Sequence, residues 1–380
     1  MDALTRAPVK LSKRRRHTVA VDARTLSQTG KGVPRFLAET LYELAAHDGL
    51  KLILFSNRPL HPSYALPIET VIDSAWGRIP GSVWVMARLN QLALHAGADT
   101  LWGPAHILPR RRRGLRTVLT VHDLVHRIMP QSMGAWNRRI SRWLVEPSIH
   151  RADMIVADSE ATKSDILSMV RPRQRDIAVV YLGARPPSPV ALAEARSTPN
   201  EAHDNYLFSL GSIEPRKNID GLLSCFECLH ELSPDLTLRL TGAHSWGASD
   251  TIDKIKRNDF CRLLGFLSDA ELTTQMAQAQ AFIMPSHYEG FGLPIIEAVG
   301  LTPIIASDIP VFRELGRFIE GICFVDFSDP GSAAQKIAAF LATEPPPARF
   351  IPGKEQMFRW QTTAKQYANI FTSERESAQP

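Results

Sequence analysis

Ser286-His-Tyr-Glu-Gly-Phe-Gly-Leu-Pro-Ile-Ile-Glu297 is the stretch on which the reading of this chain turns. The apolar run Ala281-Phe-Ile-Met284 before it predicts a strand. Pro294 predicts the first turn of a helix, where a fixed φ helps and a missing amide does no harm. Gly290 and Gly292 lie in the loop between. A strand, a glycine-bearing loop and a helix start make a site for an anionic ligand, because free N–H groups and the positive helix end point the same way. Two carboxylates, Glu289 and Glu297, bracket that loop. Either could be bland: Glu297 complementing a helix dipole, Glu289 a solvated loop residue.

Outward from this stretch, short apolar strands alternate with helical patterns. Strands are expected at Thr18–Asp22, Leu50–Phe55, Val71–Ile72, Asp99–Trp102, Thr117–Val121, Met154–Ala157 and Ile177–Val180. A second series follows at Tyr206–Leu210, Leu236–Leu240, Arg262–Leu264, Ala281–Met284, Pro303–Ala306 and Ile322–Val325. Such alternation predicts parallel α/β layers. The chain therefore divides into a basic tail (1–17), a doubly wound domain (18–185), a Pro-, Ala- and Glu-rich linker (186–203), a second doubly wound domain (204–350) and a last helix and tail (351–380), that helix running from about Lys354 to Phe371. Ligands of open α/β sheets bind beyond the carboxyl ends of the strands, so two such domains facing one another make a cleft.

Composition narrows the class. Apolar residues at 44% and charged residues at 22% are ordinary for a globular protein, and no run is long enough to span a bilayer. The N-terminus has basic residues but no apolar core after them, unlike a secretory signal. The net charge of +5 conceals an asymmetry: residues 1–190 hold 28 Lys+Arg against 15 Asp+Glu, and residues 191–380 hold 16 against 24. Clusters at Lys13–Arg16, Arg110–Arg113 with Arg116, Arg138-Arg139-Arg142 and Arg171/Arg173/Arg175 make the first half a candidate for an anionic surface, though each could be a solvated face. No nucleic-acid recognition motif accompanies them. Cys225 and Cys228 form a C-x2-C with no second ligand pair, and helical flanks favour two helix cysteines in a reducing, cytoplasmic compartment.

Two further strand ends carry chemistry. In Ser209-Leu-Gly-Ser-Ile-Glu-Pro-Arg-Lys-Asn218, a strand enters Gly211, and Arg216 and Lys217 stand at the next helix start. A guanidinium fork beside a mobile ammonium suits a pyrophosphate, and the spacing is not that of a P-loop. In Leu263-Leu-Gly-Phe-Leu-Ser-Asp-Ala-Glu-Leu272, Gly265 and Phe266 end a strand and could border a planar base. Ser268 and Glu271 there read as a capping box.

Taken in order, Gly211–Asn218, Gly265-Phe266 and the E-x7-E of Glu289–Glu297 resemble the retaining GT-B glycosyltransferases of family 4. Ile304-Ile-Ala-Ser-Asp-Ile-Pro-Val-Phe-Arg-Glu314 and Val21-Asp-Ala-Arg24 with Gly30-Lys-Gly32 are similar to its bacterial mannosyltransferase-like branch. The resemblance covers most of residues 18–345. It implies two Rossmann-like domains about a central cleft, with the C-terminal helix crossing back to the first domain. It implies that Arg216 and Lys217 hold a diphosphate, Glu297 the ribose hydroxyls, and Glu289 the donor sugar beside the reacting carbon. Gly211, Ser212, Gly265, Phe266, Gly290, Phe291, Gly292 and Leu293 then border the donor, His122 lines its sugar from across the cleft, and Gly30, Lys31 and Gly32 lie on the acceptor side. Many members carry Arg where this chain has Ser212, so Arg216 is expected to supply that charge.

The resemblance further implies a nucleotide-sugar donor, GDP-mannose first among them, with no metal or other cofactor. The acceptor would be a saccharide on a polyprenyl diphosphate or other lipid, in exopolysaccharide or lipopolysaccharide synthesis. The basic half adds the expectation of peripheral attachment to the cytoplasmic face of an inner membrane. A UDP-sugar donor, a nucleotide-sugar epimerase and a non-catalytic carbohydrate-binding scaffold remain the alternatives. A Rossmann dehydrogenase lacks its G-x-G-x-x-G here.

Overall fold

The computed structural model describes residues 15–30, 32–172, 176–197, 205–242 and 249–373. Lys31, Arg173, Arg175 and residues 1–14, with the Lys13-Arg14 part of the first basic cluster, lie outside them.

Seven parallel strands build the first domain: β1 (His17–Asp22), β2 (Leu50–Ser56), β3 (Glu69–Ile72), β4 (Thr100–Gly103), β5 (Arg116–Val121), β6 (Met154–Ala157) and β7 (Ile177–Val179), in the order β3-β2-β1-β4-β5-β6-β7. The second has β8 (Asn205–Leu210), β9 (Leu236–Thr241), β10 (Cys261–Leu263), β11 (Ala281–Met284), β12 (Ile304–Ser307), β13 (Ile319–Glu320) and β14 (Ile322–Val325). All but β13 form a parallel sheet ordered β10-β9-β8-β11-β12-β14, and β13 pairs antiparallel with β15 (Arg349–Phe350).

Burial explains why these runs are near-continuously apolar. On β1, Val19 and Val21 face one core, with Phe36, Leu37 and Leu41 of the helix Val33–Leu44, while Ala20 faces the other, with Trp84, Val85 and Leu89. On β8, Tyr206 and Phe208 point one way and Leu207 the other, into a core with Leu222 and Phe226. A parallel strand covered on both faces has no solvent side to keep polar. Cys225 sits in that same core, where burial pushes its thiol up to about 12, and it is a free cysteine like Cys228 beside it.

Each sheet reverses its winding once, between β1 and β4 and between β8 and β11. At such a switch point neighbouring loops diverge and leave a crevice at the carboxyl ends. The loop after β8 holds Gly211–Lys217, and the loop after β11 holds Ser286–Gly292.

Two connections differ from expectation or extend it. Within the stretch 186–203, read as a linker, Pro189–Ser197 form a helix packed on the helix Asp269–Gln278, with Gln278 Nε2 donating to the Ala195 carbonyl at 2.8 Å. Ala195 is buried in that contact and Leu192 half-buried, while Val190 stays exposed. The last helix, Trp360–Thr372, lies on the first domain: Tyr367 OH and Thr120 Oγ1 are 2.9 Å apart, and Arg116 Nη1 donates to the Ile370 carbonyl at 2.6 Å. The outgoing and returning segments pass so closely that a Cβ on Gly183 would fall 2.3 Å from the Trp360 nitrogen. Only glycine permits that approach.

Candidate active site

The Glu289 side chain is 8% exposed, yet it carries three hydrogen bonds. Lys217 Nζ donates to Oε1 at 2.6 Å, Arg216 Nη1 to Oε2 at 2.6 Å, and Ser286 Oγ to Oε1 at 2.7 Å. Burial opposes ionisation of this carboxyl, but the Lys217 and Arg216 charges outweigh it and hold its pKa down at about 2. Arg216 also reaches Glu214 Oε1 at 2.7 Å and the Tyr288 carbonyl at 3.2 Å. Burial works against its charge too, and Glu289 and Glu214 still raise its pKa. The four charged side chains, with Ser286, form a tightly bonded group of no net formal charge at the switch point of the second sheet.

Local structure places these residues without leaving a choice. Asn218 adopts a left-handed conformation (φ 53°), ends the short turn Pro215–Lys217 and caps the helix Ile219–Leu232 through the Gly221 amide. Asn tolerates that region better than most residues. Its Nδ2 donates to the Pro285 carbonyl at 3.1 Å, which pins the loop after β8 to the loop after β11. Gly292 (φ 101°) opens the helix Leu293–Ala298 with Pro294 in its first turn. A Cβ on Gly242 would overlap the Gly211 carbonyl oxygen at 1.7 Å, so the loops after β8 and β9 touch backbone to backbone. Gly265 (φ 74°) follows β10, its carbonyl accepting from Thr241 Oγ1 at 2.5 Å, and Phe266 is 86% exposed at that same end of the sheet.

The first domain closes on this loop. A Cβ on Gly290 would lie 1.8 Å from the His122 carbonyl oxygen. The Gly290 carbonyl accepts from Ser159 Oγ at 2.7 Å and Thr162 Oγ1 at 3.0 Å. Tyr288 OH accepts from the Leu124 amide at 3.0 Å and donates to Asp165 Oδ2 at 3.1 Å. Further along, the Glu314 carboxylate accepts from the Glu160 and Ala161 amides at 2.8 and 2.9 Å and from Tyr181 OH at 2.9 Å. It thus satisfies the amides that begin the helix Glu160–Asp165, and meets its positive end.

His122 sits at the end of β5 with both ring nitrogens engaged inside its own domain. Nδ1 lies 2.6 Å from Asp158 Oδ2 and Nε2 lies 2.8 Å from the Pro104 carbonyl oxygen. Burial works against the charged ring, but its two acceptors, Asp158 before the Pro104 carbonyl, raise its pKa above the usual value. Across the cleft it is the backbone of His122, not its ring, that meets the glycine loop. Glu297 pairs with Arg35 of the first-domain helix Val33–Leu44, Oε1 to Nη1 at 2.6 Å. Gly32 is the N-cap of that helix, and Gly30 packs on Pro34.

Residues 193–357 match the model of the group 1 glycosyl transferases, and residues 30–186 that of glycosyltransferase family 4. The chain belongs to the family 4 glycosyltransferases of the GT-B fold. It is similar to the O-antigen chain mannosyltransferase B of Escherichia coli, 29% identical over 222 residues, which are 56% of this chain and 58% of that one. It is also similar to the O-antigen chain mannosyltransferase RfbU of Salmonella typhimurium, 25% identical over 60% of each chain. The chain therefore spans about three fifths of the length of these relatives. Among solved structures, Anabaena HepE in complex with UDP-glucose aligns with a TM-score of 0.67 at 17% identity, over 95% of this chain and 100% of that one. WaaG, a glycosyltransferase involved in lipopolysaccharide biosynthesis, aligns at 0.63 and 14%, over 94% and 96%.

Of the residues this family 4 chain was expected to use, the structure gathers Gly211, Arg216, Lys217, Glu289, Gly290, Phe291, Gly292 and Leu293 at one switch point. Ser212 follows Gly211 there, and Gly265 and Phe266 stand two strands away, at the same end. Arg35, Ser286, Glu214, Gly242, Tyr288 and Asp158 were not singled out. Arg35 had a signal: it lies one helical turn after the glycine pair 30 and 32. The others are ordinary residues that only tertiary contact gives a role.

Proposed function

We propose that this protein transfers a sugar from a nucleotide diphosphate donor to a lipid-linked saccharide with retention at the anomeric carbon. The observation that carries the proposal is the convergence of Lys217 and Arg216 on Glu289 beside the Gly290–Gly292 loop. Two cations next to free helix-start amides can offset the charge that grows on a leaving diphosphate. Glu289 holds them in place, and its low pKa keeps it an acceptor for sugar hydroxyls. Glu297, on the next helix, would turn from Arg35 to the ribose hydroxyls. The acceptor hydroxyl bonds to the anomeric carbon on the face the diphosphate leaves, and its proton passes to the leaving phosphate oxygen. His122 acts here as a positioning residue, its carbonyl seating Gly290.

The mannosyltransferase names of the curated relatives favour mannose, carried by GDP, for a surface polysaccharide. The UDP-glucose bound by HepE favours the second reading, a UDP-sugar. No helix among the described residues is long and apolar enough to cross a membrane, and attachment to an inner-membrane face through the basic first half belongs to this proposal. The test is turnover of radiolabelled GDP-mannose and UDP-hexoses with short lipid-linked acceptors, the product linkage read by NMR. An α-linked product from an α-linked donor supports the proposal. Inversion, or epimerised donor without acceptor, refutes it.

A further inference from the structure

The first sheet opens a crevice at its own switch point, between the loops after β1 and β4. Arg24, just after β1, ties the β4 loop down. Its Nη1 and Nη2 donate to the Gly81 and Ala105 carbonyls, both at 3.3 Å, and its Nε lies 3.4 Å from Asp22 Oδ2. Asp22 is fully buried, and that oxygen has no hydrogen-bond partner among the described residues. The arginine is thus held by Asp22 and two carbonyls, with its charge already matched.

His106 stands on the β4 loop in a left-handed conformation (φ 62°), its amide donating to the Thr120 carbonyl at 3.2 Å. Its ring is half-buried and packs edge-on against the His122 ring, centroids 5.1 Å apart. Among the described residues that ring has no hydrogen-bond partner. A histidine with a purely structural role would be bonded at both nitrogens, as His122 is. Burial and then the His122 charge push the His106 pKa down to about 4, with His126 and Arg24 adding to the fall and Asp123 opposing it. The ring is therefore neutral near pH 7, with one nitrogen able to accept.

Asp123 completes the group. It is half-buried, its Oδ1 accepts from the Val125 amide at 3.1 Å, and no cation pairs with it among the described residues. Its charge acts on both His106 and Arg216. A Cβ on Gly290 would come within 3.2 Å of the Asp123 Cβ, so the group borders the glycine loop of the transfer site. This chemistry selects. A neutral imidazole and an unpaired carboxylate both accept hydrogen bonds, and sugar hydroxyls donate them. An anionic sugar would meet the Asp123 charge, and Arg24 and His122 are already engaged with carboxylates of their own.

We propose that this crevice seats the terminal sugar of the acceptor, that His106 and Asp123 accept from its hydroxyls, and that this sugar is neutral and not a uronic acid. The inference rests on the transfer reading for calling that sugar the acceptor. The test is saturation-transfer NMR on the full chain, with GDP or UDP added, against methyl hexopyranosides and the matching methyl hexopyranosiduronic acids. At least one neutral glycoside should bind at least about ten-fold more tightly than its uronic acid. His106→Asn, which suits the left-handed backbone, should weaken that glycoside about five-fold and leave nucleotide-sugar affinity unmoved. Asp123→Asn should weaken it too and narrow the preference over the uronic acid at least about three-fold, which loss of a merely structural aspartate would not do. Uronic acids bound as tightly as neutral sugars, a preference unchanged by Asp123→Asn, or nucleotide-sugar binding with no glycoside binding would overturn the assignment. Glycosides that bind as expected to a chain that takes no nucleotide sugar would sink the transfer reading and leave the crevice a neutral-sugar site.

Discussion

Arg35 Nη1 lies 2.6 Å from Glu297 Oε1, tying the first long helix of one domain to the second carboxylate of the E-x7-E in the other. Both side chains are about one-fifth exposed, so solvent screens the pair only in part. Arg35→Gln and Glu297→Gln should each destabilise the chain by about 1 kcal/mol, and the double variant by little more than either alone. Urea denaturation of the four proteins measures that coupling. Full additivity would mean that the two residues do not interact in solution.

Glu289 gives the site a pH signature. Its carboxyl titrates at about 2 in the folded chain, against about 4.3 when unfolded. A depressed folded value means that the stabilisation is fully present above the unfolded value and lost as the pH falls towards 2. Glu289→Gln should therefore cost about 3 kcal/mol at neutral pH, because two partly buried cations lose their shared, buried partner. The gap between variant and wild type should shrink steadily below about pH 4.3. A gap independent of pH would place the carboxylate in water.

The domain contact depends on a missing side chain. Gly290→Ala would put a methyl 1.8 Å from the His122 carbonyl, so the loop must withdraw from the first domain. Small-angle scattering should report a larger radius of gyration, and Glu314→Ala, which strips the Glu160 and Ala161 amides of their acceptor, should do the same. Unchanged scattering in both variants would show that the closed arrangement does not rest on these contacts.

The His122 imidazole should stay protonated above its ordinary pKa of about 6.5, because Asp158 and the Pro104 carbonyl face its two nitrogens. The stability it contributes is full below that value and lost as the pH rises through the higher folded one. Nitrogen-15 chemical shifts of the ring read this directly. Asp158→Asn should bring the pKa down, and a ring that is neutral at pH 6 in the wild type would contradict the geometry.

Much of this architecture is legible in the residues because parallel strands buried on both faces leave unbroken apolar runs, such as Ala281–Met284 and Leu50–Phe55. Gly292 and Pro294 announced the helix start in the same way, through the backbone conformations they allow. The relation of Arg35 to Glu297 was not legible, since 262 positions separate them and neither is unusual for a helix. Nor was the pairing of both expected phosphate cations with Glu289, which depends on how closely two loops are pinned by Asn218. The helix Pro189–Ser197 was hidden by its proline-rich lead-in, which signals a linker until the apolar side of the segment finds the helix Asp269–Gln278.

The central claim is that Lys217, Arg216 and Glu297 hold a nucleotide-sugar donor. Saturation-transfer NMR with GDP-mannose and a panel of UDP-sugars, on the wild type and on Lys217→Met and Glu297→Ala, tests it most directly. Donor ribose and sugar protons should saturate in the wild type. Affinity should be at least about ten-fold weaker in each variant, as expected when a hydrogen bond to a charged group is lost. Absence of transfer to every nucleotide sugar, or unchanged affinity in both variants, would contradict it.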